Sequence, residues 1–343
     1  GKIEGDDLHK EYIEDIFGSI DLNPSYHEYK KGINEVANLY NRMKGIVLII
    51  NKEDVLDLPD KILQQVRVAP TRHQLELAEL LKLYTAGAEA MIRLRCLSDG
   101  FQYVDKETGH TAVCKGCNGE LELVIGYDGD TPIIGECEAC NGTGTHIEVE
   151  RIGEATAECP KDAYVKAVLD EQSDLGRVVL WGAFKWSIDH LVELCHKEEW
   201  ATIRLDGRGR EARDHLNNFI DEDEVLTSFD NGHPDLAALK RKYPKVAFVG
   251  NPAAGGMGIT LHAAKLALYY SNTFSGESRI QSMDRIHRIG MDELPATIVD
   301  LICLPTDLYI LQNLDEKANL ENISMNRVRE ALELDLTNIP LFE

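Results

Sequence analysis

The sequence predicts an α/β protein built on a doubly wound, mainly parallel sheet, interrupted by a metal-binding insertion. Short, largely apolar runs such as RVVLWGAF (Arg177 to Phe184) and ATIVDLIC (Ala296 to Cys303) recur between segments of helical periodicity. Strands that read as unbroken apolar runs are buried on both faces, and their alternation with helices implies parallel crossovers. A cysteine- and glycine-rich stretch without helical periodicity separates the first such elements from the rest.

From Asp6 to about Arg42 the pattern is helical, with apolar residues at Ile13, Ile16 and Phe17 and then at Ile33, Val36, Ala37 and Tyr40. GIVLII (Gly45 to Ile50) is a short apolar run, and Pro59 marks a break after the polar segment that follows. Ile62 to Val68 alternates weakly, as a strand does. Thr71 is placed to cap a helix running from His73 through Leu97. After Pro160 the α/β alternation resumes. Ala163–Leu169 reads as a helix, Arg177–Phe184 as a strand, Ile188–His196 as a helix and ATIRLDG (Ala201 to Gly207) as a strand ending in a turn. Val246–Gly250, Leu266–Ser271 and Ala296–Cys303 supply three more strands. No internal repeat and no low-complexity tract is evident.

The chain has 343 residues, 43% hydrophobic and 28% charged, which suits a globular protein with room for two domains or one domain with insertions. No apolar run approaches the roughly 20 residues of a membrane-spanning helix. The acidic, amphipathic start is unlike a secretory signal, and Gly1 is no initiator residue, so a processed or longer parent chain is expected. The formal charge of −23 opposes indiscriminate wrapping of nucleic acid but leaves room for a local basic groove. The DEDE run (Asp221 to Glu224) reads as solvated loop surface rather than a metal site.

Four of the eight cysteines form two Cys-x-x-Cys pairs, Cys114 with Cys117 and Cys137 with Cys140. Two-residue spacing lets both thiolates of a pair reach one ion from a tight turn, and two such turns complete a tetrahedral four-sulfur shell. Gly119, Gly142 and Gly144 allow backbone amides to face the sulfurs, and LELVIGYDGDTPIIGE between the pairs reads as a hairpin turning at Asp-Gly-Asp. Structural zinc in a reducing compartment is the expectation, in a shell closed to water and therefore not hydrolytic. CEACNGTG resembles one repeat of the DnaJ-type cysteine-rich module.

Two further segments bear on function. In NPAAGGMGITLHAAK, Gly255, Gly256 and Gly258 follow a strand and precede a helix-like stretch, where backbone amides can approach a phosphate; a simple tight turn is the competing reading. In QSMDRIHRIG, a helix would put Gln281, Arg285 and Arg288 on one face at i, i+4 and i+7. Such arginines suit phosphoryl transfer, because planar forks hold phosphate oxygens as charge redistributes, although a solvated helix face would look the same.

GGMGITLHAA and QSMDRIHRIG resemble motifs V and VI of the Swi/Snf-type ATPases of helicase superfamily two. KEDVLDLPDKILQQVRVAPTRHQLELAELL, RLRCLSDGF, PKDAYVKAVLDE, RVVLWGAF and IRLDGR are similar to further segments of that family's second lobe, so the resemblance covers most of residues 44 to 320 outside the insertion. It implies a RecA-like fold: a helical connector over 1–43, the lobe over 44–97 and 159–320, the zinc-binding insertion over 98–158, and a helical tail over 321–343. It also implies Arg285 and Arg288 as catalytic arginines toward ATP. Gln281, Gly256 and Gly258 would lie at the nucleotide, and Gly207, Arg208, Gly255 and Thr260 at duplex DNA. The ATP phosphate loop and the acidic pair for magnesium belong to a first lobe in this family, and neither motif occurs in this sequence, so the isolated chain is expected to be inactive. The acidic tendency and the YYSNTFS segment resemble short phage and prokaryotic versions, implying an intracellular, cytoplasmic setting in a bacterium or an infected host.

Three positions depart from the family pattern. Met291 follows Gly290 in place of glutamine, Arg208 replaces a hydroxyl residue after Asp206-Gly207, and Leu304-Pro305-Thr306-Asp307 replaces Gly-Thr-Ile-Asp. Two other readings compete: an inert helicase-like module whose zinc insertion binds a partner, and a free-standing zinc-dependent nucleic-acid binder.

Overall fold

The computed structural model describes residues 58–316 except 86, 157, 257 and 291–293. The expected connector over 1–43, the GIVLII run, the tail over 321–343 and Met291 lie outside the described residues. Pro59–Gln312 form one compact unit.

Its centre is a seven-stranded sheet. The strands are β1 (Lys61–Arg67), β6 (Arg177–Trp181), β7 (Ala201–Asp206), β8 (Gly209–Arg213), β9 (Val246–Gly250), β10 (Leu266–Tyr269) and β11 (Ala296–Ile302), in the order β1-β11-β10-β6-β9-β7-β8. Every neighbouring pair is parallel except β7–β8. The central strands β6, β9 and β10 are apolar but for the buried Arg177 at the start of β6, because both faces are covered. Val179, Trp181, Phe248, Ala267 and Tyr269 enter one core with Val225 of α5 (Glu222–Thr227), Leu239 of α6 (Leu236–Lys242), Phe229, Leu261 and Ile286. Val178, Leu180, Ala247, Val249 and Leu268 enter the other, beneath α3 (Lys161–Glu171) and α4 (Lys185–Lys197). At about 25 cal/mol per Å² of apolar surface, each such buried aliphatic side chain contributes roughly 1.5–3 kcal/mol.

The helix expected over His73–Leu97 is two helices, α1 (Arg72–Tyr84) and α2 (Gly87–Ser98). Thr71 caps α1 as expected, in a reciprocal capping box with Gln74. The break comes where Thr85 turns extended, its amide and its hydroxyl both donating to the Leu81 carbonyl and closing the last turn of α1. β8 was not anticipated; it returns after the Gly207-Arg208 turn to pair antiparallel with β7.

The insertion is an antiparallel ribbon of β2 (Phe101–Val113) and β5 (Thr145–Ala155) that carries the hairpin of β3 (Glu122–Asp128) and β4 (Thr131–Glu136). Asp-Gly-Asp forms the hairpin turn, with Gly129 at φ 61°. At its root the ribbon meets the sheet's helices through aromatic rings, Phe101 stacking on Trp186 of α4 at 4.6 Å.

Beside that root lies a buried ion network. The Lys161 ammonium touches Asp99 at 3.0 Å and Asp307 at 3.2 Å and donates to the Tyr270 carbonyl at 2.9 Å. Ser187 donates to Asp99, and Ser98 to Asp307. Burial disfavours the Lys161 charge, but the Asp307 and Asp99 carboxylates outweigh it and move its pKa up. Asp307 also accepts from the Cys303 and Leu304 amides and opens the helix over 305–316, so the Leu-Pro-Thr-Asp departure supplies a working joint. Lys161→Met would leave two buried carboxylates without a counter-charge, and a loss of about 3–5 kcal/mol is expected. The urea midpoint measures it; an unchanged midpoint would show that the network does not hold the sheet to the insertion.

Candidate functional site

The two segments singled out in the sequence meet on the core face that holds Leu261 and Ile286. Pro252–Gly256 form a 3-10 turn directly after β9. No α-helix follows: residues 258–265 run as coil and turn to β10, which corrects the expectation of a helix-like stretch after Gly255, Gly256 and Gly258. Gly258 has φ +69°, a left-handed conformation that favours glycine, and no heavy atom lies within 4 Å of where its Cβ would be. The segment is therefore a turn with open space at Gly258, not a helix N-terminus.

The second correction concerns the arginines. α7 (Gly276–Met283) is capped by Ser275 and ends at Asp284, so Gln281 is helical but Arg285 and Arg288 are not. The Arg285 carbonyl accepts the Leu261 amide at 3.0 Å, pulling the backbone toward the neighbouring loop instead of onward in the helix. Gln281 donates to Glu277 at 2.9 Å on α7 and is not brought to the arginines by any recorded contact.

Ile286 is fully buried and fixes the segment, while His287 bonds the Pro59 carbonyl through Nε2 at 2.7 Å. The flanking guanidiniums then reach the same loop: Arg285 donates to the Ile259 carbonyl at 3.4 Å and Arg288 to the Thr260 hydroxyl at 3.4 Å. Both are long contacts, and among the described residues neither arginine is recorded in an ion pair. The Arg285 Nε is buried without a hydrogen-bond partner. Burial and the adjacent Arg288 charge lower the Arg285 pKa. An anion beside the pair would relieve both effects.

Arg208 is arranged differently. Its guanidinium grips Asp189 of α4 at 2.7 and 2.9 Å and Asp206 at 2.5 and 3.0 Å, and these carboxylates raise its pKa. The cation gained at the Gly207-Arg208 turn is thus already neutralised within the fold.

In the insertion, the four sulfurs of Cys114, Cys117, Cys137 and Cys140 lie within 4.8 Å of one another, all buried and none in a disulfide. Cys114 and Cys137 are 3.9 Å apart and Cys117 and Cys140 3.7 Å. Thiolates about 2.3 Å from one tetrahedral zinc would stand about 3.8 Å from each other, so the donor set fits the ion. The two halves repeat a motif too short to stand out as a sequence repeat. Each runs Cys-x-x-Cys-Asn-Gly, with Asn118 and Asn141 both at φ 50°. A Cβ at Gly116 would fall 3.0 Å from that of Ala139, which is how closely the two turns approach. The Gly144 amide donates to Cys140 Sγ at 3.2 Å. Burial alone would raise the Cys140 thiol, but this amide and the neighbouring sulfurs bring it down to about 7. Burial pushes Cys117 up to about 12.

No family model matches the chain. Human lymphoid-specific helicase is 26% identical over 152 residues, 44% of this chain and 16% of that protein. The ISWI chromatin-remodeling complex ATPase ISW1 of Saccharomyces cerevisiae is 24% identical over 171 residues, 50% of this chain and 13% of that protein. Human chromatin-remodeling ATPase INO80 is 27% identical over 150 residues, 43% of this chain and 8% of that protein. The relatives are a helicase and chromatin-remodeling ATPases. The matched part thus spans less than a fifth of each of these three proteins. Their similarity supports a Swi/Snf-type ATPase lobe. They are eukaryotic, whereas the acidic, short form suggested phages and prokaryotes. Among solved structures, the C-terminal part of the Fun30 ATPase domain is 21% identical with a TM-score of 0.34, covering 46% of each chain. No helix among the described residues is long and apolar enough to cross a membrane.

Proposed function

We propose that this chain is the second motor lobe of a DNA-dependent ATPase that translocates on or remodels duplex DNA, with a structural zinc module inserted in the lobe. The supporting observation is the convergence of Arg285 and Arg288 on Ile259 and Thr260, with neither guanidinium in a direct ion pair among the described residues. ATP would sit between this lobe and a first lobe that supplies the phosphate loop and the magnesium ligands. Closure would bring both guanidiniums to the γ-phosphate, where two planar forks stabilise the charge that spreads over the equatorial oxygens. Gly256, Gly258 and Gln281 would line the nucleotide side. Gly255 and Thr260 would join that side to the DNA backbone, so Thr260, within reach of Arg288, is the shortest link between the two ligands. Gly207 and Arg208 would contact phosphate only if DNA displaced Asp189 from Arg208. The thiolate pairs suit a reducing, intracellular setting.

The isolated chain is expected to hydrolyse ATP negligibly, and DNA-stimulated turnover is expected once a first lobe is joined to it. A phosphate-release assay with and without duplex DNA measures both. Robust magnesium-dependent turnover by the 343 residues alone would place the active site elsewhere. A second reading, an inert helicase-like module that binds partners, draws on the neutralised Arg208. It requires the joined protein to remain inactive.

A further inference from the structure

The outer face of the β3–β4 hairpin has no cover among the described residues. Val124 pairs with Ile134 and Tyr127 with Pro132 across the two strands, and the bulge at Ile125 keeps both pairs on one face. Leu123 points the other way, toward the cysteines. The outward side chains are well exposed: Val124 by 52%, Ile134 by 61% and Tyr127 by 70%. A half-solvated hairpin ordinarily sets polar residues on its outer face, so contiguous apolar side chains there mark a contact surface.

The surrounding charge selects what can cover it. Residues 118–136 carry five carboxylates and no Lys or Arg. Between Phe101 and Ala155 eleven carboxylates stand against three cationic side chains, Lys106, Lys115 and Arg151. Arg151 is moreover paired with Asp105. A bound zinc with four thiolates would add two negative charges. Nucleic acid is repelled by such a surface. A second copy of the module repels it equally. The chain's own remaining segments are of the same sign, with twelve carboxylates to seven cations over 1–57 and five to three over 317–343.

We propose that this hairpin face is a docking surface for a cationic, apolar polypeptide segment of another protein, seated on Val124, Tyr127 and Ile134 with its basic residues meeting Asp128, Asp130 and Glu136. The surface uses none of the arginine-site residues and does not depend on the ATPase reading. It rests on the zinc module only in that the module must be folded, which metal content reports separately. Aliphatic contacts supply affinity, and the acidic rim supplies selection and an on-rate that falls with salt.

The test uses the full 343-residue chain and fluorescent synthetic peptides, read by anisotropy. A peptide of alternating Val and Lys is expected to bind, and peptides of alternating Val and Glu or Ser and Lys to bind at least about tenfold more weakly. Val124→Ser combined with Ile134→Ser, at exposed positions and with unchanged zinc content, is expected to weaken the Val-Lys peptide by about tenfold or more. Raising the salt is expected to weaken it as well. Equal binding by the double variant overturns the proposal, as does failure of the Val-Lys peptide to bind. A duplex or single-stranded oligonucleotide whose binding the double variant abolishes overturns it in favour of nucleic acid. Dimerisation lost in the double variant overturns it in favour of a second copy. Hydrogen exchange that finds the face already protected in the free monomer overturns it in favour of the chain's own segments.

Discussion

Arg288→Ala, in the protein joined to its first lobe, is expected to reduce DNA-stimulated ATP turnover by about 10³-fold or more. A transition-state arginine is worth about 10³ to 10⁵ in rate, or roughly 4–7 kcal/mol of barrier. The size of the effect follows from what Arg288 does not do in the free lobe. Its recorded contact is one long bond to the Thr260 hydroxyl, so little fold energy is lost with it. The urea midpoint and zinc content should stay unchanged. Arg288→Lys should restore little, because a point charge cannot span two phosphate oxygens as a fork does. Arg285→Ala should be similar in rate but less clean in stability, since Arg285 is more deeply set and bonds the Ile259 carbonyl. DNA binding without nucleotide should survive both changes. Turnover within a few-fold of the parent would return these arginines to the plain reading of side chains decorating a surface turn.

That the arginines sit past the helix rather than on it shows where the sequence could and could not be read. The strands were legible because burial on both faces leaves a local mark: every residue of β6 and β9 is buried, and apart from Arg177 at the start of β6 both are apolar runs. The Thr71 cap and the Asp-Gly-Asp turn were legible because their bonding partners lie within a few residues. The end of α7 was not. It is tied to the bond from the Leu261 amide to the Arg285 carbonyl, which spans 24 positions and leaves no periodic trace. The same holds for the Lys161 network, whose partners at 99, 270 and 307 gather only when the sheet has formed.

The candidate site was legible as a set of residue types and only partly as an arrangement. Arg285 and Arg288 do approach the glycine-rich segment, at Ile259 and Thr260. Gln281 stays with Glu277, and Arg208 is bound to Asp189 and Asp206. Long polar side chains choose partners by proximity in the fold, which spacing alone does not report. The β2–β5 ribbon was missed for another reason. Thr145-His-Ile-Glu-Val-Glu alternates as a strand should, yet its apolar members are exposed, so the usual inference from alternation to a covered face would have failed.

Removing the metal should have the largest structural effect of all, confined to the insertion. Zinc is expected at about one per chain, and structural zinc sites contribute about 10–16 kcal/mol of apparent binding energy in small finger peptides near neutral pH. The module has little else to fold around. Its buried cluster consists of the four cysteines with Leu123 packed against them, and its strands pair only with one another, in two-stranded sheets separate from the main one. Without the ion, four buried thiols would remain in a core lacking aliphatic mass. Cys137→Ser, or a strong chelator, should therefore unfold the segment between Cys114 and Gly144 while the seven-stranded sheet keeps its urea midpoint. Limited proteolysis reads the first effect as new cleavage between β2 and β5, and circular dichroism in urea reads the second. Elemental analysis without metal, in protein purified without chelators, would remove the basis for the zinc assignment. Cleavage that spread into β6 and β9 would show that the insertion is part of the main core rather than a unit hung from it.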